Sequence, residues 1–149
     1  MTSESARMST AAEARFRVQA PNSIPRATTV IALDAAGDAV VKRLACSEWA
    51  RATFLTSDAR SGAQPGRDIA AADLVVLVAG PGGLAEAAAD VGRTCSDHHV
   101  MTTGLIVGAG TASESALSKT LAQVRPWSLM VVIANDAAYI DDMLRALRA

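Results

Sequence analysis

Apolar residues occur along this chain in two kinds of block, and the two kinds alternate. "TTVIAL" (28–33), "DLVVLVA" (73–79), "VMTTGLIVG" (100–108) and "LMVVIA" (129–134) are nearly continuous. A strand with one face in water alternates apolar and polar positions. Runs without that alternation therefore predict strands covered on both faces. "ATFLTS" (52–57) predicts a further, shorter strand. After each long run the apolar residues recur at helical spacing: Val40, Val41, Leu44 and Ala45; then Leu84, Ala87, Ala88, Val91 and Cys95; then Leu117, Leu121 and Val124; and last Ile140, Met143, Leu144 and Leu147. Each set predicts a helix with one buried stripe.

Several helix ends are also legible. Thr111 with Glu114 three residues on predicts a capping box, and Pro126 ends the helix that it opens. Asn135 or Asp136 is placed to cap the final helix, where Asp141 and Asp142 near its start and Arg145 and Arg148 near its end complement the helix dipole. "DARSGAQPGRD" (58–68) reads as an exposed loop because its Gly and Pro interrupt any regular element. Strands alternating with helices imply parallel strands joined by right-handed crossovers. The expected fold is α/β: a doubly wound, mostly parallel sheet of about five strands with helices on both faces. Residues 1–26, rich in Ser, Ala and Arg, predict a flexible arm, and 27–149 a single domain without internal repeats. The arm's composition also suits a transit peptide, but Glu4 and Glu13 count against that.

Composition narrows the function classes. Half of the 149 residues are apolar, yet the aromatics are only two Trp, one Tyr and two Phe, so the core must come from Val, Ile, Leu and Ala. Lys and Arg number 14 against 15 Asp and Glu, without a dense basic run, so a nucleic-acid partner is not expected. No apolar stretch reaches the ~20 residues that cross a bilayer, and no membrane association is expected. Two distant cysteines, Cys46 and Cys95, suggest a reducing, cytoplasmic setting and read as small buried hydrophobes.

Four segments, in order and spacing, resemble the nucleotide-binding half of the FtsZ/tubulin family. "TVIALDAAGDAVVKRL" resembles its opening strand, loop and helix, with Gly37, Ala39 and Val40 in place. "ADLVVLVAGPGGLAEAAADV" resembles its next strand and glycine-rich signature, with Ala79, Gly80, Gly82 and Gly83 matching. "TTGLIV" resembles the strand after that, and "MVVIAND" is similar to the segment that in the bacterial member of the family ends in a Pro-Asn-Asp triplet. The resemblance implies a Rossmann-like domain with GTP or another nucleotide as its possible ligand, and assembly with its own copies or a protein partner. Taken with the second Gly-rich junction on the same sheet edge, where open α/β sheets bind ligands, it makes Asp34, Gly37, Gly80, Gly82, Gly83, Gly108, Gly110, Thr111, Asn135 and Asp136 the candidate ligand contacts.

The chain departs from the family where phosphate chemistry is concentrated. Leu84, Ala85, Glu86, Ala87 and Ala88 stand where the signature continues with Gly and Thr, the residues that bring backbone N–H groups and hydroxyls to phosphates. Asp34 and Asp38 in "DAAGD" are expected to face any phosphate in the crevice. Two unit charges 4 Å apart repel by about 4 kcal/mol at an effective dielectric of 20. The sequence also stops at Ala149, ahead of the family's central helix and its hydrolytic acidic loop. The expectation is a binding or self-assembly domain without GTPase chemistry and without an assignable catalytic residue. A genuine GTP-binding protein and a small Rossmann-like enzyme or cofactor-handling protein, working on a small-molecule ligand through Asp34, Asp38, Glu86 and Asp136, remain open.

The single residues with chemical potential each admit a plainer role. Gly80, Gly82 and Gly83 either cradle an anion or turn a buried strand into a helix. "VGAGTASES" (107–115) offers a second strand-to-helix junction on the same sheet edge, but its Ser113 and Ser115 lack the Gly-x-Ser-x-Gly elbow. Asp97, His98 and His99 are adjacent, so their side chains diverge and suit a solvated loop better than a metal. Asp34 and Asp136 could share a crevice as a cation or acid–base pair, although Asp136 is more simply a helix cap.

Overall fold

A computed structural model describes residues 26–57, 65–82, 87–147 and 149. The predicted arm, apart from Arg26, falls outside them, as do residues 58–64. Five parallel strands form one sheet: β1 (Thr28–Ala32), β2 (Ala52–Leu55), β3 (Leu74–Ala79), β4 (Met101–Val107) and β5 (Met130–Ala134). Their order across the sheet is β2-β1-β3-β4-β5. All four pairings are parallel, and their register sets Val30 against Val76, Leu77 against Gly104 and Leu105 against Val132. This is the doubly wound α/β fold that the alternating blocks predict.

The continuous apolar runs are explained by what covers them. Every residue of β1 and β3 is buried. Helices α1 (Ala35–Ala45) and α5 (Ala137–Ala146) lie on one face, where Val41, Leu44, Ile140 and Leu144 meet Val30, Val76, Val78 and Leu105. On the other face α2 (Pro65–Ala70), α3 (Ala87–Asp97) and α4 (Glu114–Val124) bring Ile69, Ala88, Val91, Cys95 and Val124 onto Ile31, Val75, Leu77 and Ile106. Burying each such Val, Leu or Ile side chain contributes ~1.5–3 kcal/mol. Two small residues set how close the layers come. A Cβ on Gly104 would lie 2.5 Å from Val124 Cγ1, and one on Gly92 would lie 2.6 Å from the Trp127 side chain.

Three local expectations are corrected. Residues 65–68, predicted as loop, open α2; proline at the first helical position lacks only an N–H that the first turn leaves unpaired. The cap of α4 is Ser113, whose hydroxyl accepts from Ala116 N at 3.2 Å, and not Thr111. Thr111 is instead in a 3-10 turn, Ala109–Thr111, entered through Gly108 at φ 72°, and this turn takes up the residues that a capping box would have needed. Cys46 is exposed at the C-cap of α1, so only Cys95 is the buried thiol that composition suggested. By contrast, the final helix is capped as expected, Asp136 accepting from Ala138 N at 2.9 Å, but Asp141 and Asp142 lie in its middle and leave its first turn without an acidic residue. Among the described residues no helix is long and apolar enough to cross a membrane.

Candidate functional site

In a doubly wound sheet the natural crevice lies beyond the carboxyl ends of the strands at which the chain's direction of winding reverses. Here those are β1 and β3. The N-terminus of α1 and the turn after β3 meet there, which brings Asp34, Gly37 and Gly80 together from positions 46 residues apart.

Asp34 holds the junction closed. It is the extended N-cap of α1, and its Oδ1 accepts from Gly37 N at 2.9 Å. Gly80 N also donates to this carboxylate, at 3.1 Å to Oδ2 and 3.3 Å to Oδ1. The start of a helix attracts negative charge through its unpaired N–H groups and its dipole. In this molecule the negative charge is the protein's own. The glycines of the junction serve the same closure. A Cβ on Gly37 would run into the Val78 carbonyl oxygen, and one on Gly80 would lie 2.5 Å from Ala36 Cβ, so α1 rests directly on the end of β3.

The turn after β3 is similarly satisfied from within. Gly82 has φ 77°, a conformation that favours glycine. Its N–H donates to Thr120 Oγ1 at 3.0 Å, and the buried Thr120 hydroxyl donates to the Gly80 carbonyl at 3.4 Å. Thus two N–H groups of the glycine signature, on Gly80 and Gly82, have side-chain acceptors. Gly83, Leu84, Ala85 and Glu86 lie outside the described residues.

Asp38 does not face the crevice as a spare charge. Its carboxylate accepts from Ser57 N at 2.7 Å and from the Ser57 hydroxyl, fastening the first turn of α1 to the segment after β2. At the second junction Gly110 N donates to Asn135 Oδ1 at 3.0 Å, Thr111 Oγ1 donates to the Gly108 carbonyl at 3.4 Å, and Asp136 is the cap already described. The fold therefore brings the candidate residues into two groups, Asp34 with Gly37, Gly80 and Gly82 after β1 and β3, and Gly108, Gly110 and Thr111 with Asn135 after β4 and β5.

Other chemistry is sparse. Asp97, His98 and His99 are exposed at the end of α3 and in the turn beyond it, and among the described residues no cluster of three His, Cys, Asp or Glu could hold a metal. Burial pushes the Cys95 thiol up from its ordinary value, while a hydrogen bond with the Thr102 side chain pulls it the other way. Two concavities, of about 450 and 380 Å³, lie at the amino ends of the strands: one beside Trp127, Met101 and Leu129, the other beside Thr28, Trp49 and Arg51. Neither is lined by the aspartates or glycines that carry the resemblance.

Sequence reasoning missed Thr120 and Ser57. Thr120 had a signal: it lies three residues after Leu117 and four before Val124, inside the predicted buried stripe. Ser57 had none, because its tie to Asp38 spans 19 residues and two elements. No protein-family model matches the chain, and a search of the curated proteins finds no match either.

Proposed function

We propose that this chain is a divergent FtsZ/tubulin-like domain without GTPase chemistry, acting by binding a protein partner or its own copies. The observation that supports the reading best is the Asp34 carboxylate shared by Gly37 N and Gly80 N. A phosphate arriving there would have to displace a carboxylate that already has two donors and would meet its charge at short range. Thr120 adds to the argument by taking the N–H of Gly82.

Titration calorimetry tests this with GTP, GDP and ATP, each with and without magnesium. GTP is expected to bind no tighter than about 1 mM, some -4 kcal/mol. Asp34→Gly keeps a residue acceptable as a helix cap, at a loss of a few tenths of a kcal/mol, and frees both N–H groups. It should bind inorganic phosphate or GTP at least about tenfold more tightly than the wild type, a change of ~1.4 kcal/mol. Micromolar GTP binding by the wild type would overturn the reading. Failure of Asp34→Gly to gain any affinity would remove the carboxylate from the argument.

A further inference from the structure

We propose that β5 is the seam of a two-fold symmetric homodimer, pairing antiparallel with β5 of a second copy. The proposal deepens the self-assembly half of the function proposed above and rests on it. Among the described residues nothing pairs with the outer edge of β5. Leu129 N donates inward to the Thr102 carbonyl, so by alternation the N–H and C=O groups of Met130, Val132 and Ala134 point away from the sheet. The side chains here are apolar and open on both faces: Met130 and Ile133 are each 45 % exposed, and Leu129 is 79 % exposed. Met101, which lines one concavity together with Leu129, extends the exposed apolar surface beyond the strand.

A second copy fits this strip better than an unrelated partner because the strip is complementary to itself. With Val132 on the two-fold axis, Val132 pairs with Val132 of the partner subunit through two hydrogen bonds, and the pairing ends before Ala134, which is only 3 % exposed. Val131 then lies opposite the partner's Ile133. Residues 128–135, "SLMVVIAN", contain no ionisable side chain, so the two-fold axis opposes no like charges. Edge strands that stay single usually carry a lysine, a proline or a bulge, and β5 has neither lysine nor proline. The exposed apolar surface falls below the roughly 800 Å² per partner of a standard interface and is supplemented by the strand hydrogen bonds. A reversible dimer follows. An isologous contact of this kind closes at two copies and does not propagate.

Sedimentation velocity of the full chain from 1 to 500 µM tests it, with and without GTP and magnesium. The expected result is a monomer–dimer equilibrium unaffected by nucleotide. Met130→Lys with Ile133→Lys should raise the dissociation constant at least about tenfold, since both positions lie at the seam. Val132→Pro removes an outward N–H, as prolines on edge strands do, together with a partly buried side chain, and should have the same effect in a protein that still melts cooperatively. Thr53→Lys on the opposite edge should leave the dimer intact. Monomer alone at 500 µM, species larger than a dimer, or dimers that persist in both β5 variants would overturn the proposal. Calorimetry tests the loops and sedimentation tests the edge, so each can fail without the other.

Discussion

The two edges of this sheet are finished differently. At β2 the neighbouring chain is fastened by specific contacts. Trp49 Nε1 donates to the Leu44 carbonyl at 2.7 Å, the Trp49 ring lies 6.1 Å from that of Phe54, and the Arg145 guanidinium stands 4.6 Å over Trp49. Ala50 N donates to the Ala149 carbonyl, and Ser57 is tied to Asp38. No large hydrophobic residue described at that edge is exposed. At β5 three large apolar side chains in a row of five residues face water. Part of the difference, the exposure of Met130 on the α5 face, arises from the path of α5. After leaving β5 it runs back across the sheet toward α1, where Arg43 pairs with Asp141 at 3.0 Å, and it takes its apolar stripe with it. One helix thus protects the far edge and leaves Met130 of its own strand uncovered, while Leu129 and Ile133 are exposed on the opposite face.

That contrast can be broken or sharpened by substitution. The largest effect is expected from Leu144→Ala, which truncates a fully buried side chain of α5 and should destabilise the protein by about 3 kcal/mol in denaturant titration. Trp49→Ala should follow at about 2 kcal/mol, because the ring is partly buried and loses a hydrogen bond, an aromatic neighbour and a cation. Equal stability of Trp49→Ala and wild type would mean that the β2 edge is not secured by these contacts. Arg43→Gln should cost no more than about 0.5 kcal/mol, since the two side chains of the pair are 40 % and 32 % exposed and water screens them. Ile133→Lys should change the melting of a dilute, monomeric sample least of all, within about 0.5 kcal/mol. A destabilisation of 2 kcal/mol there would show that Ile133 belongs to the core of the monomer and not to a free edge.

Local pattern carried the architecture and failed at the loops for one reason. Continuous apolar runs at β1, β3 and β4 and the stripes of α1, α3 and α5 depend on periodicity within a few residues, which a single sequence displays. The exposure of Cys46 depends on which side of α1 meets the sheet, and the cap of α4 shifted from Thr111 to Ser113 because Gly108 opened a tighter turn first. Gly80 and Gly82 stand at a strand-to-helix junction, one of the two roles their sequence allowed, and the resemblance added a ligand role for them. It gave Asp34 and Asp38 an orientation that only the packing could decide.

What the sequence determined by itself is therefore the parallel, helix-covered sheet, because the free energy of burying Val, Leu and Ile acts through spacing alone. What tertiary structure decided is where the polar groups of the crevice go. A carboxylate at Asp34 has the same local sequence whether it faces a ligand or accepts from a glycine 46 residues away. Only the crossing of α1 over the end of β3, permitted by two glycines without a Cβ, brings Gly80 N within reach, and a buried N–H takes the nearest acceptor because leaving it unpaired costs ~1–3 kcal/mol.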